Sequence, residues 1–144
     1  MSPAHRTGIL FVNIGSPDAP TTPTVRHFLN EFLMDERVLD YPAPLRRLIV
    51  SGFILPTRPA RSAEAYRAIW WEDGSPLIVI TKQIRDLLRE ELGLPVEIGM
   101  RYGNPSIEYG LSCLFRQSID TVHLVPMYPH YAMFTYETCV EETR

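Results

Sequence analysis

The chain has 144 residues, about the length of one ordinary domain, and its hydrophobic fraction of 45% and charged fraction of 22% are typical of a globular protein in water. A formal net charge of −3 argues against a nucleic-acid-binding protein, because such proteins normally present a basic face. Apolar runs are too short to span a membrane, the N-terminus lacks signal-peptide features, and the two cysteines form no C-x-x-C pair. We therefore expect a cytoplasmic protein without a disulfide framework or a thiolate zinc site.

The first half of the chain predicts one strand followed by three helices. The short apolar run 8–13 is closed by a glycine and a proline, which is typical of a buried strand. Thr22 followed by Pro23 predicts a helix start, because the hydroxyl caps the helix and the proline has a suitable φ. Two further helices are predicted over 45–53 and 62–71.

The second half predicts strands and helices in alternation. Thr81 is expected to cap a fourth helix that ends at Gly93, and the apolar run 96–100 predicts a second strand. The remaining predicted elements are a helix that starts at Asn104 and Pro105, a strand over 121–125 and a final helical segment over 135–144.

This alternation predicts an α/β fold, a parallel sheet with helices on both faces. Ligands bind such sheets beyond the carboxyl ends of the strands, so the segments 14–17, 101–105 and 127–134 are expected to lie at one edge as loops. The last of these segments is unusually rich in aromatic residues. Such a segment either closes a core or lines a cavity for a flat apolar ligand.

Four segments together resemble the ferrochelatase family. They are FVNIGSPDAPTTPTVRHFLNEFLMDERVLDYP, RPARSAEAYRAIWWEDGSPLIVITKQ, GMRYGNPSIE and VPMYPHYAMFTYET, and they occur in the order of the family's motifs. Family members are about twice this length and have two α/β lobes around a cleft. The resemblance therefore identifies residues 1–144 as one incomplete chelatase-like lobe, the N-terminal one, with the second lobe absent from this chain.

The resemblance implies a lyase of haem and porphyrin biosynthesis that inserts Fe²⁺ into protoporphyrin IX and releases two protons. Protoporphyrin IX and ferrous iron are then the partners, with no nucleic acid. Fe²⁺ is a substrate, no cofactor is predicted, and an iron–sulfur cluster is not addressed by these residues. The family's catalytic base lies in an S-x-H-x-(I/L)-P motif of the second lobe, so no catalytic residue is expected in this chain and the fragment alone should be inactive.

Arg58 and Ser75 match the family residues that meet a porphyrin propionate. An arginine suits this role because its planar guanidinium binds a carboxylate through two hydrogen bonds and keeps its charge. Composition alone would favour a solvent-exposed arginine at position 58 and a turn or helix cap at position 75.

Arg101 and Tyr102 match a pair that lines the porphyrin cavity. An arginine at the end of a buried strand needs a partner, because burying an unpaired charge costs free energy. The structural alternative is an ion pair with Asp18 or Glu108.

The resemblance assigns three apolar residues to the porphyrin site. Ile14 is apolar, as in the bacterial branch that uses protoporphyrin, whereas the coproporphyrin branch carries a tyrosine there. Leu29 and Phe32 match the apolar lip of the cavity, although apolar residues at helical spacing are more often core.

Tyr128 matches a family tyrosine near the proposed metal route, and it completes the predicted porphyrin-binding residues. His130 stands where many members have glutamine. Histidine is a common Fe²⁺ ligand, so His130 is the candidate metal residue, but a lone loop histidine is more often simply solvated.

Two alternatives to an incomplete ferrochelatase remain open. One is a naturally short homodimeric tetrapyrrole chelatase, in which His130 would supply a metal ligand from each protomer. The other is a porphyrin-binding module without catalytic activity. The resemblance also raises peripheral contact with the inner membrane, and an exposed apolar face would favour self-association.

Overall fold

The computed structural model describes residues 6–128 and 133–143. The strands are β1 (Thr7–Ser16), β2 (Val96–Gly103) and β3 (Thr121–Pro126). The helices are α1 (Thr22–Met34), α2 (Ala43–Ile49), α3 (Arg58–Ile69), α4 (Pro76–Leu92), α5 (Ile107–Arg116) and α6 (Thr138–Thr143). One turn of π-helix follows α2 at Val50–Ile54, and another precedes α6 at Met133–Glu137.

The described strands form a three-stranded parallel sheet in the order β2-β1-β3. β1 pairs with β3 from Thr7 opposite Thr121 to Val12 opposite Pro126. The first strand in the chain is therefore the central strand of the sheet. The predicted α/β architecture is confirmed.

The chain folds into two compact units. The first comprises the residues up to Ile14, Val79–Arg101 and the residues from Pro105 onward. The second comprises Gly15–Ile78 and Tyr102–Asn104. The candidate site residues are divided between these two units.

The core of the first unit lies between the sheet and α5. Its central residues are 6% exposed or less. They come from β1, α5, the segment between α5 and β3, and α6: Leu10, Val12, Ile107, Leu114, Ile119 and Cys139. The apolar residues of β1 are buried at alternate positions, as the strand periodicity of two requires. The isolated apolar run of the sequence thus becomes the strand on which the unit is built.

Two glycines allow α5 to approach β2 closely. A Cβ at Gly110 would lie 2.6 Å from the carbonyl oxygen of Ile98, and a Cβ at Gly99 would lie 2.7 Å from Cα of Ile107. Both distances are shorter than packed atoms allow. The absence of a side chain at these positions therefore sets the distance between the helix and the sheet.

Several element boundaries differ from the prediction. Thr81 is buried inside α4 and does not cap it, because the helix begins at Pro76, and proline is favoured in the first helical turn. The helix predicted from Asn104 begins at Ile107, since the Ser106 hydroxyl accepts the Tyr109 amide and caps it.

The N-terminal cap of α1 and the C-terminal ends of β1 and β2 also differ from the predicted positions. Thr21, rather than Thr22, caps α1 by accepting a hydrogen bond from the Thr24 amide. β1 extends to Ser16 and β2 to Gly103, so Ile14 and Arg101 lie in strands and not in the predicted loops. The predicted C-terminal end of α4 is confirmed, as Gly93 follows the helix with φ of +62°.

The two other early helices differ in extent. The helix predicted over 45–53 is α2 and the π-helical turn that continues it. The helix predicted over 62–71 begins four residues earlier, at Arg58. Among the helices of the described residues, none combines the length and apolarity that a membrane-spanning helix needs.

Candidate functional site

Arg58 and Ser75 lie in the second unit. Arg58 is the first residue of α3 and is exposed, with Pro59 following it in the first helical turn. A short antiparallel bridge between Trp71 and Gly74 closes the turn before Ser75, which is 6% exposed and immediately precedes α4. Arg58 is thus available to an external carboxylate. Its predicted contact with a propionate, and that of Ser75, stay predictions.

The apolar residues of α1 form an aromatic stack in the same unit. Phe28 and Phe32 have parallel rings with centroids 6.4 Å apart, and Phe32 meets the edge of Tyr102 at 5.2 Å. Phe28 is buried, whereas Leu29 and Phe32 are half-buried. Leu29 and Phe32 therefore combine packing with partial exposure, which the predicted lip requires.

Tyr102 is held at both ends of its side chain. It is 1% exposed, its ring packs on Phe32, and its hydroxyl donates a hydrogen bond to Asp35 Oδ2 at 2.9 Å. In this chain Tyr102 therefore packs against the Phe32 ring, and its predicted place in the cavity lining stays a prediction.

Arg101 is paired within the first unit. Its Nε donates to Oγ1 of Thr138 at 2.6 Å, and its Nη1 lies 3.6 Å from Glu142 Oε2. Thr138 is 1% exposed, and the arginine side chain is 16% exposed. The expectation that this arginine needs a partner is confirmed, but the partners come from α6.

The two acids proposed as partners of that arginine have other positions. The side-chain Nδ2 of Asn104 donates to both carboxylate oxygens of Asp18 at 3.1 Å. Glu108 lies in the first turn of α5. The sequence did not identify α6 as the source of the partners, because its helical pattern carries no sign of what it faces.

Tyr128 and Ile14 also lie in the first unit. Tyr128 packs against the core cluster, and its hydroxyl lies 3.5 Å from Cys139 Sγ. Burial raises the pKa of the Cys139 thiol, and the Tyr128 hydrogen bond opposes this shift. Ile14 is half-buried near the end of β1. The roles of Tyr128 and Ile14 toward a ligand stay predictions.

His130, the candidate metal residue, lies outside the described residues. Within 6–128 and 133–143, no group of three or more His, Cys, Asp or Glu side chains is arranged to hold a metal ion. The candidate residues of the two units carry cationic, hydroxyl, aromatic and aliphatic side chains, and such groups suit a flat apolar ligand with carboxylates.

Sequence reasoning missed the groups that hold the predicted residues in place. They are Glu31 and Asp35 in the second unit and Thr138 and Glu142 in the first. A signal existed for Asp35, since it lies within the first quoted family segment. Ser16 was also missed: its hydroxyl is buried and has no hydrogen-bond partner in the described part of the chain.

The fold is that of an α/β protein, and the residues predicted to meet a ligand include arginine and aromatic side chains. The family model described as Ferrochelatase matches residues 6–144. The chain is 49% identical over 137 residues to a ferrochelatase of Azotobacter vinelandii and 48% identical over 137 residues to one of Pseudomonas syringae pv. tomato. A Vibrio parahaemolyticus ferrochelatase is 43% identical over 132 residues.

The chain belongs to the ferrochelatase family. The alignments with the Azotobacter and Pseudomonas proteins cover 94% of this chain and 40% of each relative, and the Vibrio alignment covers 92% and 41%. The chain therefore spans about 40% of the length of the relatives it matches.

Proposed function

We propose that this chain is the N-terminal lobe of a ferrochelatase and forms one wall of the site where Fe²⁺ enters protoporphyrin IX. The observation that carries the proposal is the family match over residues 6–144, which includes all four motif segments. The exposed Arg58 and the half-buried Leu29 and Phe32 of the second unit support it, since a porphyrin needs both a cation and apolar contacts.

The propionate end of the porphyrin is assigned to Arg58 and Ser75. The guanidinium of Arg58 would bind a propionate through two charge-assisted hydrogen bonds. The Ser75 hydroxyl would donate a further hydrogen bond from the turn before α4. These contacts orient the ring by one edge and leave its pyrrole nitrogens to the rest of the site.

The flat faces of the porphyrin are assigned to apolar and aromatic side chains. We propose Leu29 and Phe32 of the second unit, and Ile14, Arg101 and Tyr128 of the first unit, as porphyrin contacts. Tyr102, which is 1% exposed, would contribute to the cavity lining through Phe32. A rigid wall favours a puckered macrocycle, whose nitrogens point out of plane toward the entering metal, and the strain is offset by binding elsewhere on the ring.

Metal insertion exchanges two protons for one cation. Four pyrrole nitrogens bind Fe²⁺, two N–H bonds break, and two protons pass to a base. We assign that base to the portion of the relatives that this chain does not cover. The lobe described here would bind and orient the porphyrin, and on its own it would not insert iron.

The surroundings of the protein form part of the proposal. We place it in the cytoplasm, with the apolar lip of α1 available for peripheral contact with the inner membrane. Exposed apolar side chains such as Leu48 and Phe53, which are 60% and 70% exposed, would also support self-association of the isolated lobe.

Titration of the purified chain with protoporphyrin IX, followed by porphyrin absorbance and tryptophan quenching, tests the proposal. Arg58→Ala should weaken binding about tenfold, equivalent to about 1.4 kcal/mol, because the exposed arginine contributes to the ligand and not to the fold. Arg116→Ala, which removes an equal charge from α5, is the control and should bind like the wild type.

Anaerobic addition of Fe²⁺ to the complex completes the experiment. We expect the metalloporphyrin spectrum to appear no faster than it does without protein. Insertion of iron by this chain alone would show instead a complete short chelatase, and absence of porphyrin binding would refute the assignment of the wall.

A further inference from the structure

Three consecutive residues of the second unit are each bound by an acidic side chain from the segment 18–35. Tyr102 donates its hydroxyl to Asp35 at 2.9 Å, and the Gly103 amide donates to Glu31 Oε2 at 3.1 Å. Asn104 donates to both carboxylate oxygens of Asp18 at 3.1 Å. Hydrogen bonds thus connect Tyr102–Asn104 to α1, to the residue that follows α1 and to the loop that precedes α1.

Asp35 connects two different residues, because each of its carboxylate oxygens accepts a hydrogen bond from a separate donor. Oδ1 accepts the Arg37 amide at 2.8 Å, while Oδ2 accepts the Tyr102 hydroxyl. The Asp35 carbonyl also accepts the amides of Val38 and Leu39 at 3.1 Å. One residue therefore shapes the turn after α1 and ties that turn to the Tyr102 side chain.

The hydrogen bond fixes an aromatic ring as well as a hydroxyl. Tyr102 is 1% exposed, and its ring meets Phe32 edge-on at an interplanar angle of 83°. Phe32 in turn stacks on Phe28 with an interplanar angle of 5°. With the hydroxyl held by Asp35, the tyrosine ring cannot swing away, so Phe32 is confined between Phe28 and Tyr102.

We propose that Asp35 is a positioning residue for porphyrin binding, acting through Tyr102 on Phe32. The inference rests on the proposed function, in which Phe32 contacts the porphyrin. Asp35 itself touches neither the ligand nor the metal. Its carboxylate holds the tyrosine that keeps the phenylalanine in the orientation that a flat ring requires.

A double-mutant cycle on the whole chain tests this role, with protoporphyrin IX as the probe. Asp35→Ala and Tyr102→Phe should each raise the porphyrin Kd about tenfold, because misplacing a contact group costs binding even when the group remains. The double variant should be no weaker than the worse single variant, since both changes remove one hydrogen bond.

Conservative and control variants separate positioning from general stability. Asp35→Asn should stay within about threefold of the wild type, because its carbonyl can accept the Arg37 amide and its NH₂ can donate to the Tyr102 oxygen. Asp40→Ala removes the same charge at an exposed position, and Tyr109→Phe removes the hydroxyl of a tyrosine that is 55% exposed. Both controls should bind like the wild type.

All Kd values are compared under conditions where circular dichroism shows each variant folded. If Asp35→Ala does not fold, Tyr102→Phe and Asp35→Asn carry the test. A wild type that binds porphyrin and a Tyr102→Phe variant that binds equally well would overturn the positioning role and leave the proposed function intact. A wild type that binds no porphyrin would overturn the proposed function and the positioning role with it.

Discussion

Replacing Gly110 with alanine should destabilise the first unit, although alanine is the better helix former. The added Cβ would lie 2.6 Å from the Ile98 carbonyl oxygen and 2.7 Å from Leu10 Cδ1. The leucine methyl group can turn aside, but the carbonyl belongs to the backbone of β2 and cannot. The helix must therefore move away from the sheet or the strand must bend.

The size of the effect follows from two opposing contributions. Ordinary contact begins at 3.4 Å, so relief of the clash displaces α5 by several tenths of an ångström and loosens the packing of Ile107 and Leu114, which are 1% and 0% exposed. Overpacking of this kind costs about 1–3 kcal/mol. The better helix propensity of alanine returns about 1 kcal/mol. The difference between these contributions is a net loss of about 0–2 kcal/mol, and we expect about 1 kcal/mol.

Urea unfolding followed by far-ultraviolet circular dichroism measures this loss. With a typical slope of about 1–3 kcal/mol per molar urea, the midpoint should fall by roughly 0.5 M. Gly52→Ala is the matched control, because the nearest atom to its added Cβ is Leu48 Cδ1 at 3.8 Å, and it should leave the midpoint unchanged or raise it. A Gly110→Ala midpoint at or above that of the wild type would refute the reasoning.

Three further predictions concern α6 and its contacts. Thr138→Val should lower the free energy of unfolding in urea by about 1–3 kcal/mol, because Arg101 Nε loses a buried acceptor. Glu142→Gln should lower it by less than about 1 kcal/mol, since the Glu142 side chain is 53% exposed. Equal losses would contradict this ranking. Because burial raises the pKa of the Cys139 thiol, Ellman's reagent at pH 8 should label Cys113 rapidly and Cys139 only after denaturation. The stability that comes from burying the neutral thiol is complete below the pKa of the unfolded thiol and is lost as the pH rises through the higher folded pKa. The difference in unfolding free energy between the wild type and Cys139→Ala should therefore shrink in alkaline buffer, and a constant difference would argue against it.

The sheet and its strands could be predicted from local patterns. Each described strand coincides with a short apolar run, and β1 alternates in burial as a strand should. Boundaries were less accurate where two start signals compete. Thr81 resembles a cap, yet the helix starts at Pro76, because a proline in the first turn costs no hydrogen bond.

The contacts that hold the candidate site could not be predicted from local patterns. Arg101 and Thr138 are 37 positions apart, and Asp35 and Tyr102 are 67 apart. Helical and strand periodicities specify which face a residue occupies, but not which residue of another element it meets. The family resemblance identified Arg101 and Tyr102 as important, while their partners required the three-dimensional arrangement.

The strand order has a consequence for how the chain acquires its structure during synthesis. β1 leaves the ribosome first, yet its partner β3 begins at Thr121 and the core residue Cys139 comes later still. Most of the second unit, by contrast, is the continuous segment Gly15–Ile78. Because long-range pairing is slow, β1 stays unpaired and apolar at least until β2 has been translated, and it lacks its second neighbour until β3 follows. A pause or a chaperone that shields β1 during that interval should increase the yield of folded protein.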